Sequence, residues 1–288
     1  MSLEGKHVGE FEIIEPLGQD GMGAVYKARQ TSLDRIVVLK TLQASLADNA
    51  EYIARFRQEA KAAAGLNHPN LVQVISAGET EGLHWFAMEY VEGESAKVRL
   101  KRKGRLDPLE AIAIAMHVAT ALEYGWRKAG LIHRDIKPDN IFLSGDGEVK
   151  LGDLGLAKSV SQAQVHTTTG HSMGTPHYMS PEQVEAMKNV DPRADIYSLG
   201  CTLYHLLCGQ PPYGGGSGVA VMIKHMSEPV PDLRSVWPEC PVELTEVLRK
   251  MMQKEPKERQ QNYSEVSADL RRSHDALVAA GTRVSMKT

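Results

Sequence analysis

Along the first ninety residues the apolar positions fall into short runs. Phe11–Leu17, Ala24–Arg29 and Arg35–Thr41 are β-branched or aromatic stretches parted by Gly- or Asp-containing turns, and each reads as a strand. Leu71–Ala77 and Leu83–Tyr90 read the same way. Between the two groups the period changes. Phe56, Ala60, Ala63 and Ala64 recur at three- and four-residue steps, which predicts a helix over Ala50–Gly65 with Gly65 as its stop. Five strands and a helix predict a small antiparallel sheet with one helix packed on it.

After Val91–Gly93 the pattern turns helical. Asp107-Pro108-x-Glu110 supplies a cap, a proline for the first helical position and an acid for the first turn. Ala111, Ala115, Val118, Ala119 and Leu122 then form an apolar stripe to about Lys128, and Arg193–Cys208, Val219–Met226, Val242–Gln253 and Ser264–Ala279 are also periodic. The expected class is α+β and bilobal: a small five-stranded antiparallel lobe over residues 1–91 and a larger, mostly helical lobe over 92–288. A hinge near Met88–Glu94 would join them, with a ligand cleft between.

Composition narrows the field. Lys and Arg number 33 against 36 Asp and Glu, so bulk charge does not suggest a nucleic-acid binder. Cys201, Cys208 and Cys240 are too few and too scattered for a disulfide framework or a zinc site, and fit a reducing cytosol. No apolar run reaches the ~18 residues of a membrane span, and the N-terminus has no signal-peptide core. A soluble, cytoplasmic chain is the expectation.

The chemistry sits in four places. Leu17-Gly18-Gln19-Asp20-Gly21-Met22-Gly23-Ala24-Val25-Tyr26 puts glycines between two strands, where backbone N–H groups can approach phosphate without Cβ interference. Alone, that is equally an ordinary Gly-rich hairpin. Val37-Val38-Leu39-Lys40 places a lysine on an apolar strand, so its ammonium needs an anion, and Glu59 beside the alanine stripe of the helix can supply one. His133-Arg134-Asp135-Ile136-Lys137-Pro138-Asp139-Asn140 follows, then Gly152-Asp153-Leu154-Gly155, and last Gly174-Thr175-Pro176-His177-Tyr178-Met179-Ser180-Pro181-Glu182.

With those segments in that order, the chain resembles the eukaryotic-like Ser/Thr protein kinases, especially their bacterial members, over roughly residues 8–275. The resemblance implies an enzyme that moves the γ-phosphate of ATP to Ser or Thr hydroxyls of protein substrates with Mg²⁺, Mn²⁺ being a substitute. Asp135 would take or orient the acceptor proton. Lys137 would meet the γ-phosphate, Lys40 would anchor the α- and β-phosphates with Glu59 orienting it, and Asn140 and Asp153 would hold the metal. Leu17, Gly18, Gly21, Gly23 and Val25 would cover the nucleotide. Val25 and Val38 with Phe142 or Leu143, Leu143 being preferred, would sandwich adenine, with Met88 as gatekeeper. The backbones of Glu89 and Val91 would bond the base, and Ser95 would lie near the ribose. His133 would be a packing residue.

Glu182 would pair with Arg259, Asp195 would hold the backbone around Arg134, and Thr175 would contact Asp135 and Lys137. Arg134 before Asp135 implies ordering by a phosphate on Thr167, Thr169, Thr168 or Ser172. Autophosphorylation between the two copies of a homodimer fits that scheme.

Several residues depart from the family pattern. Asp20 takes a glycine position of the phosphate loop, Val38 an alanine position, Leu154 a phenylalanine position and Ser180 an alanine position. His205 stands where many relatives carry a glutamate that reads a basic substrate residue, which puts a preference for arginine in doubt. Two rivals stay open on sequence alone: a scaffold that binds without transferring, and a small-molecule kinase. The end of the chain soon after its last predicted helix suggests the catalytic piece of a longer, membrane-anchored kinase.

Overall fold

The first lobe is a succession of hairpins. The computed structural model describes residues 3–19, 23–47, 49–153, 176–185, 187, 190–279 and 281. Strands β1 (His7–Val8), β2 (Phe11–Gln19), β3 (Gly23–Gln30), β4 (Arg35–Leu42), β5 (Val74–Thr80) and β6 (Leu83–Glu89) form one antiparallel sheet in the order β1-β2-β3-β4-β6-β5. The expected five strands are therefore six, because His7–Val8 adds an edge too short to show a period. Helix α1 (Ala50–Ala64) crosses the sheet and starts at Asn49, whose side chain accepts from the Glu51 N–H at 2.9 Å.

The fourth expected strand begins three residues late, at Val74. Leu71 is drawn instead to the other lobe, where it bridges Leu151, and the Val72 N–H donates to the Leu151 carbonyl at 2.9 Å.

The second lobe opens with β7 (Gly93–Ser95), α2 (Ala96–Lys103) and α3 (Pro108–Ala129). Asp107 caps α3 by accepting from the Leu109 and Glu110 N–H groups, and Gly130 ends it in the left-handed conformation. Strands β8 (Ile141–Ser144) and β9 (Val149–Leu151) join β7 in a second small sheet. Then come α4 (Pro181–Val184), α5 (Arg193–Cys208), α6 (Gly218–Ser227), α7 (Val242–Met251) and α8 (Tyr263–Ala279). Helix α5 is buried all round from Ala194 to Leu207, as expected of the central element of a helical lobe. At Gly200 a Cβ would come within 2.9 Å of both Met251 and Met252, so the glycine sets how closely α7 packs there.

One face of the first sheet closes on its own small core, in which Phe11 meets Trp85 edge-on at 5.0 Å. The α1 face does not stop at the lobe. Phe56 and Phe86 lead through Leu71, Leu151 and Ile136 into α3 and α5 as one continuous core, which holds the cleft walls in a fixed relation. Among the described residues no helix is long and apolar enough to cross a membrane.

Candidate active site

Strand alternation decides what the upper wall of the cleft carries. On β4, Val37 and Leu39 turn into the closed core, so Val38 and Lys40 share the opposite face. Val25 sits opposite Lys40 on β3 and Met88 opposite Val38 on β6, which gathers three of the expected nucleotide contacts around the lysine. Lys40 is 3% exposed. Its Nζ lies 3.3 Å from Glu59 Oε1 and 2.9 Å from Asp153 Oδ1. A cation taken that far out of water needs such partners. The sequence pointed to the first of them, while the second reaches across 113 residues. Asp153 holds this place with φ +55, unusual for a residue with a Cβ.

The lower wall is the loop His133–Asn140, fixed from beneath by α5. Buried Asp195 accepts from the backbone N–H of His133 at 2.7 Å and of Arg134 at 2.8 Å. The Tyr263 hydroxyl on α8 donates to it at 3.0 Å. Burial pushes the Asp195 carboxyl above the usual carboxylate range, and those three donors, with His133 nearby, pull it back down. Arg134 takes φ +64, a strain that the two bonds to Asp195 hold in place.

His133 is fully buried. Its Nε2 donates to the Gly152 carbonyl at 3.0 Å and its Nδ1 accepts from the Asp135 N–H at 3.3 Å, a pair of bonds that suits the neutral ring. Asp135 Oδ2 accepts from Lys137 Nζ at 2.9 Å and from Asn140 Nδ2 at 3.1 Å. Asn140 Nδ2 also donates to the Asp135 carbonyl at 2.8 Å, so the amide turns its nitrogen to Asp135 and keeps its oxygen for another partner.

Around these groups, Leu17 and Gly18 lie at the end of β2, and Gly23 opens β3. A Cβ on Gly23 would sit 1.8 Å from the Thr41 carbonyl oxygen, so this glycine is required by strand approach whatever the loop binds. The Glu89 N–H donates to the Gln73 carbonyl at 2.9 Å, and Val91 follows two residues beyond, past the end of β6. Ser95 caps α2 by accepting from the Val98 N–H at 3.2 Å.

Leu143 needs correction. It is 3% exposed and packs in the continuous core, whereas half-buried Phe142 projects from the other face of β8. The Phe142 ring would stand 2.8 Å from a Cβ at Gly152, next to Asp153. Phe142 is therefore the residue of that pair on the cleft side. Gly21, Thr167, Thr168, Thr169, Ser172 and Thr175 lie outside the described residues.

The floor is tied to the far end of the lobe by Arg259. Its guanidinium donates to Glu182 Oε1 at 2.6 Å and Oε2 at 2.9 Å, and to three backbone carbonyls. The Ser180–Gln183 capping box, legible as Ser-Pro-Glu-Gln but missed, adds a Gln183 side-chain bond to the Arg134 carbonyl at 2.9 Å. Arg134 Nε is buried with no hydrogen-bond partner among the described residues.

A sheet lobe and a helical lobe that close a lysine, two aspartates and an asparagine between them define the class of protein kinase domains. The chain belongs to the protein kinase domain family, whose model matches residues 11–268. It is similar to the serine/threonine-protein kinase PknB of Mycolicibacterium smegmatis, 41% identical over 280 residues, 95% of this chain and 44% of that protein. It is also similar to the serine/threonine-protein kinase PrkC of Bacillus subtilis, 35% identical over 275 residues, 95% of this chain and 42% of that one. The chain thus spans less than half the length of these curated relatives. A crystal structure of the Mycobacterium tuberculosis PknI kinase domain superposes with a TM-score of 0.74 at 30% identity, covering 95% of this chain and 99% of that one.

Proposed function

We propose that this chain is the catalytic part of an ATP-dependent protein serine/threonine kinase, divided between lobes 1–91 and 92–288. The observation that carries the reading is the convergence on one cleft of Lys40, held by Glu59 and Asp153, with Asp135, held by Lys137 and Asn140. Phosphoryl transfer asks the protein for alignment and charge neutralisation more than for covalent work. Asp135 orients the acceptor hydroxyl and takes its proton as the new O–P bond forms and the bond to the leaving phosphate breaks. Lys137 stays beside it to balance the charge on the transferred group. Lys40 anchors the remaining phosphates, and Val25, Val38, Met88 and Phe142 enclose the base.

Protein kinase domains use a divalent cation with ATP. The Asp153 carboxylate and the Asn140 amide oxygen are hard oxygen donors, too few for an all-protein cage, which fits Mg²⁺ or Mn²⁺ sharing its shell with phosphate and water. That ion would supply neutralisation of phosphate charge. Arg134 Nε, with no hydrogen-bond partner among the described residues, supports control by an anion near the loop, for which Thr167, Thr168, Thr169 and Ser172 are the candidates, phosphorylated between copies of a homodimer. The proposed location is the cytoplasm, as part of a longer protein.

The test is phosphate incorporation from Mg·ATP, mapped by mass spectrometry on the protein itself and on an added protein substrate, beside Asp135→Asn and Asp153→Asn. Phosphoserine or phosphothreonine in the wild type, lost in both variants while each melts as the wild type does, is the expected result. Full transfer by Asp153→Asn overturns the site assignment.

A further inference from the structure

A group of residues flanks the catalytic loop without serving it. Helix α2 packs its start against the turn Pro138–Asn140, and Lys97 stands in its first turn. Lys97 is half-buried and forms no ion pair or hydrogen bond among the described residues, unlike Arg99, Arg102 and Lys103, which Glu94 and Glu110 neutralise. Its neighbours belong to the floor beyond the loop. His177, half-buried in the turn Pro176–Tyr178, and His205 on α5 both feel its positive charge. His205 is buried and tied to Tyr178, whose hydroxyl lies 2.6 Å from His205 Nδ1 with the rings stacked at 6.0 Å. Tyr178 in turn lies within reach of the Asp139 charge, on the loop itself. The group therefore forms one strip against the loop that carries Asp135, where it can meet the flank of a peptide that presents its hydroxyl there.

The charge balance of the strip is unusual for a surface meant to read arginine. The position on α5 that would offer a carboxylate holds an imidazole. Burial and Lys97 push the His205 imidazole down to about 4, so it is neutral at pH 7 and engaged by Tyr178. The same two causes lower His177, which keeps it neutral with an N–H to donate. Among the described residues Asp139 is the one acid whose charge reaches the group, and it is exposed, where water screens it. Lys97 is half-buried and has no counter-charge among the described residues, so an anion beside it gains more than a cation gains at Asp139.

We propose that Lys97, with His177 as a hydrogen-bond donor, selects protein substrates that carry an acidic side chain close to the phosphorylated Ser or Thr. The inference rests on the kinase reading above and names the substrate class of that site. Lys97 touches the substrate flank and not the reacting atoms, so it governs specificity.

The experiment is a peptide library with a single threonine in a neutral frame. Glu, Ala or Arg is placed in turn at each of four positions on either side, and kcat and KM are measured for the wild type, Lys97→Ala and Lys97→Glu. In the wild type at least one position should favour Glu over Ala about five-fold and over Arg about twenty-fold, mainly through KM. Lys97→Ala should flatten that preference and Lys97→Glu should turn it toward Arg, with melting temperatures unchanged. Glu no better than Ala at every position overturns the proposal, as does an acidic preference that survives Lys97→Glu, and both leave the kinase reading standing because peptide is still phosphorylated. Transfer to no peptide and to no protein overturns the kinase reading and the proposal with it.

Discussion

Replacing Arg259 by lysine should damage this protein far more than the shared charge suggests. The guanidinium is fully buried and every N–H it owns is spent: Nε on the Gln253 carbonyl, two on the Glu182 carboxylate, and one each on the Arg193 and Lys254 carbonyls. Its plane also lies over the Tyr197 ring at 4.9 Å. An ammonium has three donors on a single point and no fork. At least two of the five acceptors lose their partner without access to water. At about 1–3 kcal/mol for each buried group left unpaired, the cost is roughly 2–6 kcal/mol. In a chain of this size that is a fall of about 3–10 °C in melting temperature.

Thermal melts of Arg259→Lys, Glu182→Gln and the double variant measure it, and the double-mutant cycle should return a coupling of about 1–3 kcal/mol. A drop below about 2 °C for Arg259→Lys, or a coupling near zero, would refute the argument that this arginine is a bidentate anchor.

Two further outcomes follow from burial. Burial pushes the His225 imidazole down to about 3, while its Nδ1 accepts from the Tyr197 hydroxyl at 2.9 Å. A ring that the fold keeps neutral contributes stability that is present above the unfolded value of about 6.5 and is lost as pH falls toward 3, on the order of several kcal/mol across that window. His225→Gln should flatten the urea-midpoint profile between pH 6 and 4, and an unchanged slope would count against it. At Gly23 an added methyl meets the Thr41 carbonyl and can be relieved only by parting β3 from β4, so Gly23→Ala should cost about 2 kcal/mol or more. Gly18 has nothing within 4 Å of its Cβ position, and Gly18→Ala should leave the melt within about 2 °C of the wild type. Equal melts for the two variants would contradict the steric account.

Which of these groups were legible beforehand follows from the range over which each is specified. The Lys40–Glu59 approach was legible because strand alternation and a helix stripe each fix a face, and the two faces had to meet. Helices α3 and α5 were legible within a residue or two, since caps and long apolar stripes act locally. Helix α2 was not: it buries only Ala96 and Leu100, and three of its basic residues, Arg99, Arg102 and Lys103, are held by Glu94 and Glu110 from outside the helix. Strands β7 and β9 have three residues each, too few for a period. For Phe142 and Leu143, alternation says that they face opposite ways, but only the packing of the helical lobe says which one faces the cleft. The Lys40–Asp153 contact required the lobes to be placed first.

The two walls of the cleft are held by different means. Below, the loop that carries Asp135 is bonded through its backbone to Asp195 and through His133 to Gly152, with Tyr263 and Gln183 completing the set. Asp195 and Tyr263 sit on α5 and α8, and Gln183 on the short α4 that Arg259 locks, so displacing the loop means opening the helical core. Above, the Lys40 ammonium is placed by side chains, between a carboxylate on α1 and one that follows β9. Helix α1 has an exposed outer face and a shorter buried stripe, so its carboxylate costs less to move than the loop beneath. The groups proposed to perform transfer are thus fixed by the core, while the group proposed to anchor the phosphates answers to α1. A signal that shifts α1 changes the site at Lys40 first, and leaves Asp135 where α5 holds it.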